Sequence, residues 1–305
     1  MTPSPSIAPP AVPLRRVALI GRHASLDIAE PLVRLAAFLR GRGHEVLIEA
    51  ETARSTPLAG YPTVPPDSLG AHADVAIVVG GDGTMLSIAR RLAPSNVPLI
   101  GVNQGRLGFL TDIPLARMET MLAAMLDGNY IEERRTLLAA EVVRDDGRRE
   151  GAFALNDVVL NRGGGGTMIE CSVEIDGRYV YAMRADGIIV ATPTGSTAYA
   201  MSAGGPILDP QVKAFALVPV APHALSHRPI AVAETSMIAI RVERGRDAAL
   251  HCDGQAHFEI AEGERVTVQR APYAARLLHP EGHDHFAMLR EKLHWSATPE
   301  RLRDD

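Results

Sequence analysis

The sequence predicts an N-terminal α/β domain of Rossmann-like type, with an open and mostly parallel sheet, followed by a β-rich C-terminal domain. Three observations support this fold class. Apolar runs typical of buried strands alternate with helical patterns over the first 131 residues. From about residue 132 onward, short strand-like runs separated by Asp-Gly and Glu-Gly turn signals dominate. The length of 305 residues also fits two domains of roughly 150 residues each.

The predicted domain boundaries follow this change of pattern. We expect a Pro-rich, disordered tail at 1–13, the α/β domain at 14–131 and the β-rich domain at 132–283. The C-terminal segment, 284–305, has some helical character and could pack back on the first domain.

Periodicity and helix breakers define the elements of the first domain. Helix 28–40 places its apolar residues on one face and stops at Gly41 and Gly43. Residues 52–70 carry four prolines and two glycines, which predicts a loop. The other predicted elements are strands at 16–20, 44–48, 74–79 and 98–102 and helices at 85–92 and 115–127.

The second domain is predicted as a succession of short strands, followed by a helical segment at 286–293. Turn signals separate the strands at residues 146–147, 176–177, 253–254 and 262–263. The strands are expected at 137–144, 151–160, 171–175, 179–184, 187–191, 237–242, 248–252, 264–269 and 275–278.

Charge and lysine usage narrow the function classes. The net charge of −5 argues against non-specific binding to nucleic acid or to membrane surfaces. Of the 31 basic residues only Lys213 and Lys292 are lysines, and neither follows a glycine. The G-x-x-x-x-G-K-[ST] phosphate loop is therefore excluded. A phosphate-handling protein of this composition must rely on backbone amides, arginine and a metal ion.

Other composition features favour a cytoplasmic protein. The longest apolar runs have about five residues, such as 75–79, whereas a membrane-spanning helix needs about 20. Residues 1–13 have neither the basic start nor the apolar block of a secretory signal. The two cysteines, Cys171 and Cys252, are expected to be free, buried thiols in a reducing compartment.

The strongest local motif is Gly-Gly-Asp-Gly-Thr at 80–84, between an apolar strand and a helix. Ligands bind at strand ends in open α/β sheets, glycines let the backbone approach a phosphate, and a helix N-terminus offers free N–H groups. A carboxylate at Asp82 could then accept a proton or help to hold Mg²⁺. The alternative is a tight turn in which Asp82 only caps the helix. The complete motif after an apolar strand favours the phosphate site.

Two further segments could contact a nucleotide. Asn156 and Asp157 open a strand-like run, where an amide and a carboxylate can hydrogen-bond ribose hydroxyls, although an Asx turn explains them as well. The longer segment 184–206 runs from a strand into a loop rich in hydroxyl side chains, with Tyr199 available to stack on a flat ring. Turn chemistry alone does not readily explain five hydroxyls within eight residues: Thr192, Thr194, Ser196, Thr197 and Tyr199.

Other residues invite a catalytic or metal-binding interpretation that the pattern does not support. The histidines of 279–285 lack a fourth ligand of comparable strength, so we expect a solvated turn there rather than a metal site. A Ser-His hydrolase is disfavoured because no G-x-S-x-G motif occurs.

With these motifs in their order, the sequence resembles the bacterial NAD kinases. The residues that carry the resemblance lie at 80–84, 103–113, 155–162, 186–208, 222–230 and 253–255. The motif at 80–84 alone would also fit lipid kinases of the diacylglycerol type, but the blocks NQGRLGFL and TPTGSTAYAMSAGGP separate this chain from them.

The resemblance implies an enzyme, a phosphotransferase that moves the γ-phosphate of ATP, or a phosphate of polyphosphate, to the 2′-hydroxyl of the adenosine ribose of NAD, giving NADP. It implies a divalent metal ion, Mg²⁺ above all, NAD and ATP as small-molecule substrates, a site between the two domains and a homodimer or homotetramer. Nothing in the chain suggests a nucleic-acid or membrane partner. A GGDGT-type lipid kinase and a noncatalytic NAD(P)-binding sensor remain as alternatives.

Site residues carry over by motif position. Asp82 is expected to be the base toward the 2′-hydroxyl and a possible metal ligand, with Gly83 beside it on the phosphate. The β-rich domain is then the NAD-binding domain. The nucleotide contacts implied there are Asn156, Asp157, Arg184, Asp186, Thr197, Ala198, Tyr199, Ala200, Met201, Ser202 and Gln255, with Thr167 weaker because family members vary beside the glycine run 163–166.

Overall fold

The computed structural model describes residues 14–21, 28–105, 108–144, 146–164 and 167–295. The tail predicted at 1–13 and the last residues of the C-terminal segment, 296–305, lie outside these ranges. The chain divides into two compact units. Unit 1 comprises the described residues up to Met85, Leu99–Glu133 and those from Leu277 onward, and unit 2 comprises Leu86–Pro98 and Arg134–Arg276.

Unit 1 is the α/β unit, and its strands pair in the parallel order β6-β5-β4-β1-β2-β3. The strands are β1 (Arg16–Gly21), β2 (Glu45–Glu49), β3 (Thr63–Val64), β4 (Val75–Gly80), β5 (Leu99–Asn103) and β6 (Ile113–Pro114). The helices are α1 (Ala29–Gly41), α2 (Ala50–Ser55), α3 (Leu69–His72), α4 (Asp82–Leu92), which continues into unit 2, and α5 (Met118–Leu126).

The strand order places the glycine-rich turn at a topological switch point. The chain moves outward from β1 to β2 and β3, then returns to add β4 on the other side of β1. Such points are where open α/β sheets bind ligands, beyond the carboxyl ends of the strands. All six residues of β4 are buried, as expected of a central parallel strand, and Gly81-Asp82 follow directly at its carboxyl end.

Unit 2 consists of two stacked antiparallel sheets. The first has the order β11-β10-β15-β18 with β7 and β8 beyond β18, and the second has the order β14-β13-β12-β9-β16-β17. The strands are β7 (Tyr130–Val143, which starts in unit 1), β8 (Arg149–Ala154), β9 (Asp157–Asn161), β10 (Ile169–Ile175), β11 (Arg178–Ala185), β12 (Gly187–Ala191), β13 (Ala214–Val220), β14 (Ile230–Ala233), β15 (Ile238–Arg244), β16 (Ala248–Cys252), β17 (Ala256–Ile260) and β18 (Arg265–Pro280, which ends in unit 1). The short helix α6 (Tyr199–Ser202) follows β12, and α7 (His285–Leu293) follows β18 in unit 1.

Alternation along each strand of unit 2 gives every sheet one inner face. In β9, Val158 and Leu160 point into the core between the sheets, whereas Asp157, Val159 and Asn161 point to the opposite face. The side of the second sheet turned away from that core carries Asp157 and Asn161 together with a smaller apolar cluster, against which Ala200 of α6 packs. The strand residues of that cluster are Val159, Ile189, Ala191, Ala216 and Val218.

The predicted fold class is confirmed, and most predicted elements occur within one or two residues. The loop predicted at 52–70 is wrong in part, because α2 occupies its start and α3 its end. The side chain of Glu49 caps α2 by accepting a hydrogen bond from the Thr52 amide at 2.7 Å. The prolines that suggested a loop all come after α2 has ended.

Three predictions in the second domain also need correction. The strand predicted at 151–160 is two strands, because the backbone at 155–157 leaves the ladder to bond a side chain. The strands predicted at 264–269 and 275–278 are one, β18, which continues through Pro272. β13, β14 and β17 were not predicted. β13 contains Pro219, a residue that is rare inside sheets, and this proline lies opposite Ile188 of β12.

Both cysteines are free and buried, as predicted. Burial raises the pKa of each thiol to about 12, so neither is a reactive thiolate. In the part of the chain that the structure describes, no helix is both long and apolar enough to cross a membrane.

Candidate functional site

In unit 1 the candidate site is the turn that joins β4 to α4. The carboxylate of Asp82, the first residue of α4, is held by a second backbone segment, which follows β5. Its Oδ2 accepts a hydrogen bond from the Phe109 amide at 2.7 Å, and its Oδ1 accepts one from the Leu110 amide at 3.0 Å. The Thr111 hydroxyl contacts Oδ1 at 3.3 Å. Three donors therefore fix the orientation of this carboxylate.

Glycine is required where the segment after β5 packs against the turn between β4 and α4. An ideal Cβ on Gly108 would lie 2.0 Å from Oδ1 of Asp82, and one on Gly101 would lie 2.5 Å from the Leu110 carbonyl oxygen. By contrast, ideal Cβ atoms on Gly81 and Gly83 would meet no atom of the described residues within 4 Å. The surface of the turn is thus open beside Gly81 and Gly83, whereas the side that holds the carboxylate is closely packed.

In unit 2 the candidate site is a pocket of about 330 Å³ on the outer face of the second sheet. This volume lies at the low end of the range for small-molecule pockets, roughly 300–1,000 Å³. Four predicted residues meet there: Asn156, Asp157, Ala198 and Tyr199. The other residues that line the pocket are Val159, Asn161, His251, Asp253 and Gly254.

Asp253 organises one wall of this pocket. Its fully buried carboxylate accepts hydrogen bonds from the backbone amides of Leu155, Asn156 and Asp157 at 2.9, 2.8 and 3.1 Å. The guanidinium of Arg90 lies 3.4 Å from the same carboxylate. From the sequence, Asp253 belongs to a predicted turn and to the motif at 253–255, with no role assigned to its side chain. No local signal indicated that this turn would bond the Asn-Asp segment about 97 residues earlier.

The pocket carries two carboxyl groups with unequal proton affinity. Burial, and secondarily the charge of Asp253, raise the pKa of Asp157 to about 7. Burial also raises the pKa of Asp253, but three backbone N–H groups and Arg90 oppose that change. No described group donates a hydrogen bond to the Asp157 side chain. The Asp157 carboxyl group therefore keeps its proton to a much higher pH than an ordinary aspartate, up to about neutral pH.

Most hydroxyl groups of the segment 192–199 stabilise the turn beside the pocket and do not line the pocket itself. The Thr192 hydroxyl bonds the Leu155 carbonyl, the Ser196 hydroxyl bonds the Pro193 carbonyl at 2.6 Å, and Thr194 accepts from Arg135 at 3.3 Å. The view that five hydroxyls face a ligand is therefore wrong for these three, which are buried and hold the turn. Tyr199, 43% exposed, is the hydroxyl residue among the five that lines the pocket.

A glycine again permits the close approach of the two motif segments. The Thr192 amide donates to the Asn156 carbonyl at 2.9 Å. An ideal Cβ on Gly195 would lie 2.0 Å from that same carbonyl oxygen. The segments predicted separately from sequence, at 155–157 and 192–199, thus form one wall of the pocket.

The remaining predicted residues lie outside the pocket lining. Asp186 pairs with Arg162 at 2.9 Å, and Gln255 accepts a hydrogen bond from Arg90. Arg184 is exposed on β11, and its side chain makes no contact with another described charged group. The Thr197 hydroxyl bonds the Thr194 carbonyl, Ala200 is fully buried, Met201 is half-buried, and Ser202 and Thr167 are exposed.

Two of the three histidines predicted to lie in a solvated turn have buried side chains instead, whereas His285 is half-buried. The side chains of His279 and His283 are 2% and 5% exposed, and both bond the carboxylate of Asp112. No local pattern indicated this contact, because Asp112 lies 167 residues before His279.

Unit 1 carries a switch-point glycine turn with a fixed carboxylate, and unit 2 carries a pocket lined by Tyr199, Asn156 and Asp157. Both features are typical of nucleotide-binding α/β proteins. The comparisons specify this class further. A model of the ATP-NAD kinase N-terminal domain matches residues 17–130, and a model of the C-terminal domain matches residues 155–280. The chain belongs to the ATP-NAD kinase family.

Individual relatives agree with this assignment. The chain is 54% identical to an NAD kinase of Aromatoleum aromaticum over 288 residues, which cover 94% of this chain and 96% of the relative. It is similar to the crystal structure of an NAD kinase from Archaeoglobus fulgidus in complex with ATP, with a TM-score of 0.73, 28% identity and coverage of 92% and 98%. The yeast NADH kinase complexed with NADH shares the fold, with a TM-score of 0.87, 24% identity and coverage of 96% and 94%.

Proposed function

We propose that the protein transfers the γ-phosphate of ATP to the 2′-hydroxyl of the adenosine ribose of NAD, giving NADP and ADP. The observation that carries this proposal is the fixed carboxylate of Asp82 at the open glycine turn of a family member. Polyphosphate is a second possible donor for the same chemistry. The reaction leaves the nicotinamide unchanged, so no reductant is consumed.

Asp82 is proposed as the general base. Phosphoryl transfer depends mainly on positioning and charge stabilisation, and a ribose hydroxyl is a weak nucleophile. A carboxylate oriented by the Phe109 and Leu110 amides can take the proton of the 2′-hydroxyl. At the same time the hydroxyl oxygen forms its bond to the γ-phosphorus, and the bond from that phosphorus to ADP breaks. Gly83 is proposed to lie along the phosphates, because an ideal Cβ there would meet no atom of the described residues within 4 Å.

The pocket of unit 2 is proposed to bind part of the dinucleotide. Tyr199 offers a flat face for a base, and the side chains of Asn156 and Asp157 can bond ribose hydroxyls or an amide. Ala198, Thr197 and 200–202 are proposed to frame the adenosine, and Arg184, Asp186 and Gln255 to make further nucleotide contacts. A contact by Thr167 is the weakest part of this assignment.

A divalent ion enters this proposal as part of the donor, the magnesium complex of ATP. Mg²⁺ is usually bound through one or two carboxylates together with substrate phosphates. The turn supplies one carboxylate, Asp82, whose oxygens keep lone pairs beyond those that the amides use. The residues present therefore fit an ion that arrives with the triphosphate, and the ion would neutralise charge on it.

A cytoplasmic location and a homodimer or homotetramer complete the proposal. The location rests on the composition features of the sequence and the assembly on the family resemblance. Light scattering on the purified protein tests the assembly.

The decisive assay offers the purified protein NAD, γ-labelled ATP and Mg²⁺ in one reaction, and diacylglycerol in place of NAD in a second. Label in NADP, released as phosphate by a 2′-nucleotidase activity, supports the proposal. Label in the lipid alone, or NAD binding by folded protein without ATP consumption, contradicts it.

A further inference from the structure

A buried cluster in unit 1 joins the end of β18 and the turn before α7 to the segment after β5. It consists of Asp112, His279, His283 and Glu133. The side chains of Asp112, His279 and His283 are 10%, 2% and 5% exposed, and that of Glu133 is 20% exposed. No step of the proposed phosphoryl transfer uses these four residues.

The two imidazoles lie stacked between the two carboxylates. Their centroids are 3.9 Å apart and their planes differ by 21°. At one end, Nδ1 of His279 and Nδ1 of His283 lie 2.8 and 2.9 Å from the same oxygen, Oδ2 of Asp112. At the other end, the two Nε2 atoms lie 3.5 and 3.9 Å from the oxygens of Glu133.

The count of protons makes this arrangement costly without a bound cation. All four ring nitrogens face carboxylate oxygens, but a neutral imidazole has only one N–H. Two neutral rings can therefore satisfy one carboxylate and must turn lone pairs toward the other. Protonating one ring still leaves a lone pair of the other ring turned toward a carboxylate. Protonating both rings removes the conflict but places two cations face to face in a buried site.

A divalent cation at the Asp112 end resolves the conflict. Deprotonated Nδ1 atoms then bind the ion, while both Nε2–H groups point to Glu133, as is usual for metal-bound histidines. Two carboxylates and one divalent ion also balance in charge. A separate observation supports a bound cation. Oδ1 of Asp112 is buried and accepts no hydrogen bond within the described part of the chain, so this oxygen is available as a further ligand atom.

We propose that Asp112, His279 and His283 form a binding site for Zn²⁺ or a similar transition-metal ion, with Glu133 orienting the two rings. The three ligand atoms lie within 4.8 Å of one another. Two imidazoles and a carboxylate suit zinc, whereas Mg²⁺ prefers oxygen ligands. The site is separate from the magnesium that accompanies ATP.

Binding must contract the cluster. Zinc holds imidazole nitrogen at about 2.0–2.1 Å, with ligands in a tetrahedral arrangement, so the rings must rotate out of their stack. The turn that carries His283 can supply this movement, because Glu281 and Gly282 are exposed and Gly282 has a φ of +84°. Since Asp112 follows Thr111, which contacts Asp82, the ion would also steady the segment that holds that carboxylate.

The test uses the full chain, purified without a polyhistidine tag and stripped with a chelator. Titration with ZnCl₂ is followed by calorimetry, by metal analysis after gel filtration and by the thermal unfolding midpoint. We expect one zinc per chain and a raised midpoint, and no such effect of MgCl₂. His283→Asn should weaken zinc binding at least 10-fold, and Glu133→Gln about 10- to 100-fold. His294→Asn, at an exposed position, is the matched control and should bind like the unchanged chain.

The absorption spectrum of bound Co²⁺ keeps the proposal testable if a variant fails to fold. A four-coordinate nitrogen–oxygen spectrum on the unchanged chain supports it. Absence of stoichiometric zinc, or equal zinc affinity in His283→Asn, overturns it. The proposal is also overturned if the thermal unfolding midpoint does not change with zinc but falls as pH rises through the range where histidine loses its proton. That outcome would mean that the cluster holds a pair of imidazolium ions.

Discussion

Gly108 lies so close to Asp82 that an ideal Cβ on the glycine would be 2.0 Å from Oδ1 of the carboxylate. The same Cβ would lie 2.4 Å from the Thr111 hydroxyl. The segment after β5 thus owes its close fit against the carboxylate to the absence of a side chain. This contact explains in physical terms why a glycine stands at that position of the motif that follows β5.

Gly108→Ala should therefore lower kcat by roughly 10²-fold, since a shift of about 1 Å in a catalytic group costs this much. NAD binding should change little, because the pocket of unit 2 is not altered. Steady-state kinetics and calorimetry measure the two effects. Gly41→Ala, where a Cβ would meet nothing within 4 Å, is the control and should keep full activity. Unchanged kcat in Gly108→Ala would show that the close contact is irrelevant.

Tyr199→Ala should weaken NAD binding by about 10-fold, because stacking of a base on an aromatic side chain contributes roughly 1–3 kcal/mol. Tyr199→Phe retains the ring and is the matched control. Calorimetric titration with NAD compares the three proteins. If the alanine variant binds NAD as tightly as the phenylalanine variant, the base does not stack on this residue.

The pair formed by Arg90 and Asp253 should be important for stability. Removing one partner of a buried ion pair costs about 3–5 kcal/mol, because the other charge stays buried. We therefore expect Arg90→Met to lower the thermal unfolding midpoint clearly, since Asp253 has a fully buried side chain. Arg117→Met, at an exposed position, should leave the midpoint unchanged. Equal midpoints for the two variants would contradict this role.

The pKa of Asp157, about 7, predicts a pH dependence of stability. The folded-state pKa lies above the ordinary value of 3.8, so deprotonation is harder in the folded protein. The free energy of unfolding should therefore fall as pH rises from about 4 to about 7, by up to roughly 4 kcal/mol, and then level off.

Asp157→Asn removes this titration. The variant should be more stable than the unchanged chain at pH 8, and the difference should shrink at pH 5. Urea unfolding at both pH values measures the effect, with Asp67→Asn at an exposed position as control. A variant that loses stability between pH 5 and 8 as steeply as the unchanged chain would rule out Asp157 as the titrating group.

Local patterns were sufficient for the fold class and for part of the site. The apolar run of β4 followed by Gly81-Asp82 predicts a buried parallel strand and its turn, because burial on both faces and glycine at a strand end are visible in neighbouring residues. Asn156 and Tyr199 were found through motifs and do meet in one pocket.

What the sequence could not predict are contacts between distant segments. From the sequence, no role is assigned to the side chain of Asp253, although its carboxylate organises Asn156 and Asp157. The contact between Asp112 and His279 was missed for the same reason, because the residues around each of them carry no pattern that indicates the other. Likewise, Thr192 and Ser196 looked like ligand contacts because hydroxyl groups that hold a turn and hydroxyl groups that bind a ligand have the same sequence pattern.

The account rests above all on the role of Asp82, and the rate of phosphoryl transfer in Asp82→Asn tests that role most directly. Single-turnover transfer from γ-labelled ATP to NAD should be slower than in the unchanged chain by roughly 10²–10⁴-fold, the range for loss of a general base. NAD affinity, measured by calorimetry, should stay within about threefold, and Asp67→Asn should transfer at the full rate. An Asp82→Asn protein that makes NADP as fast as the unchanged chain would contradict the account.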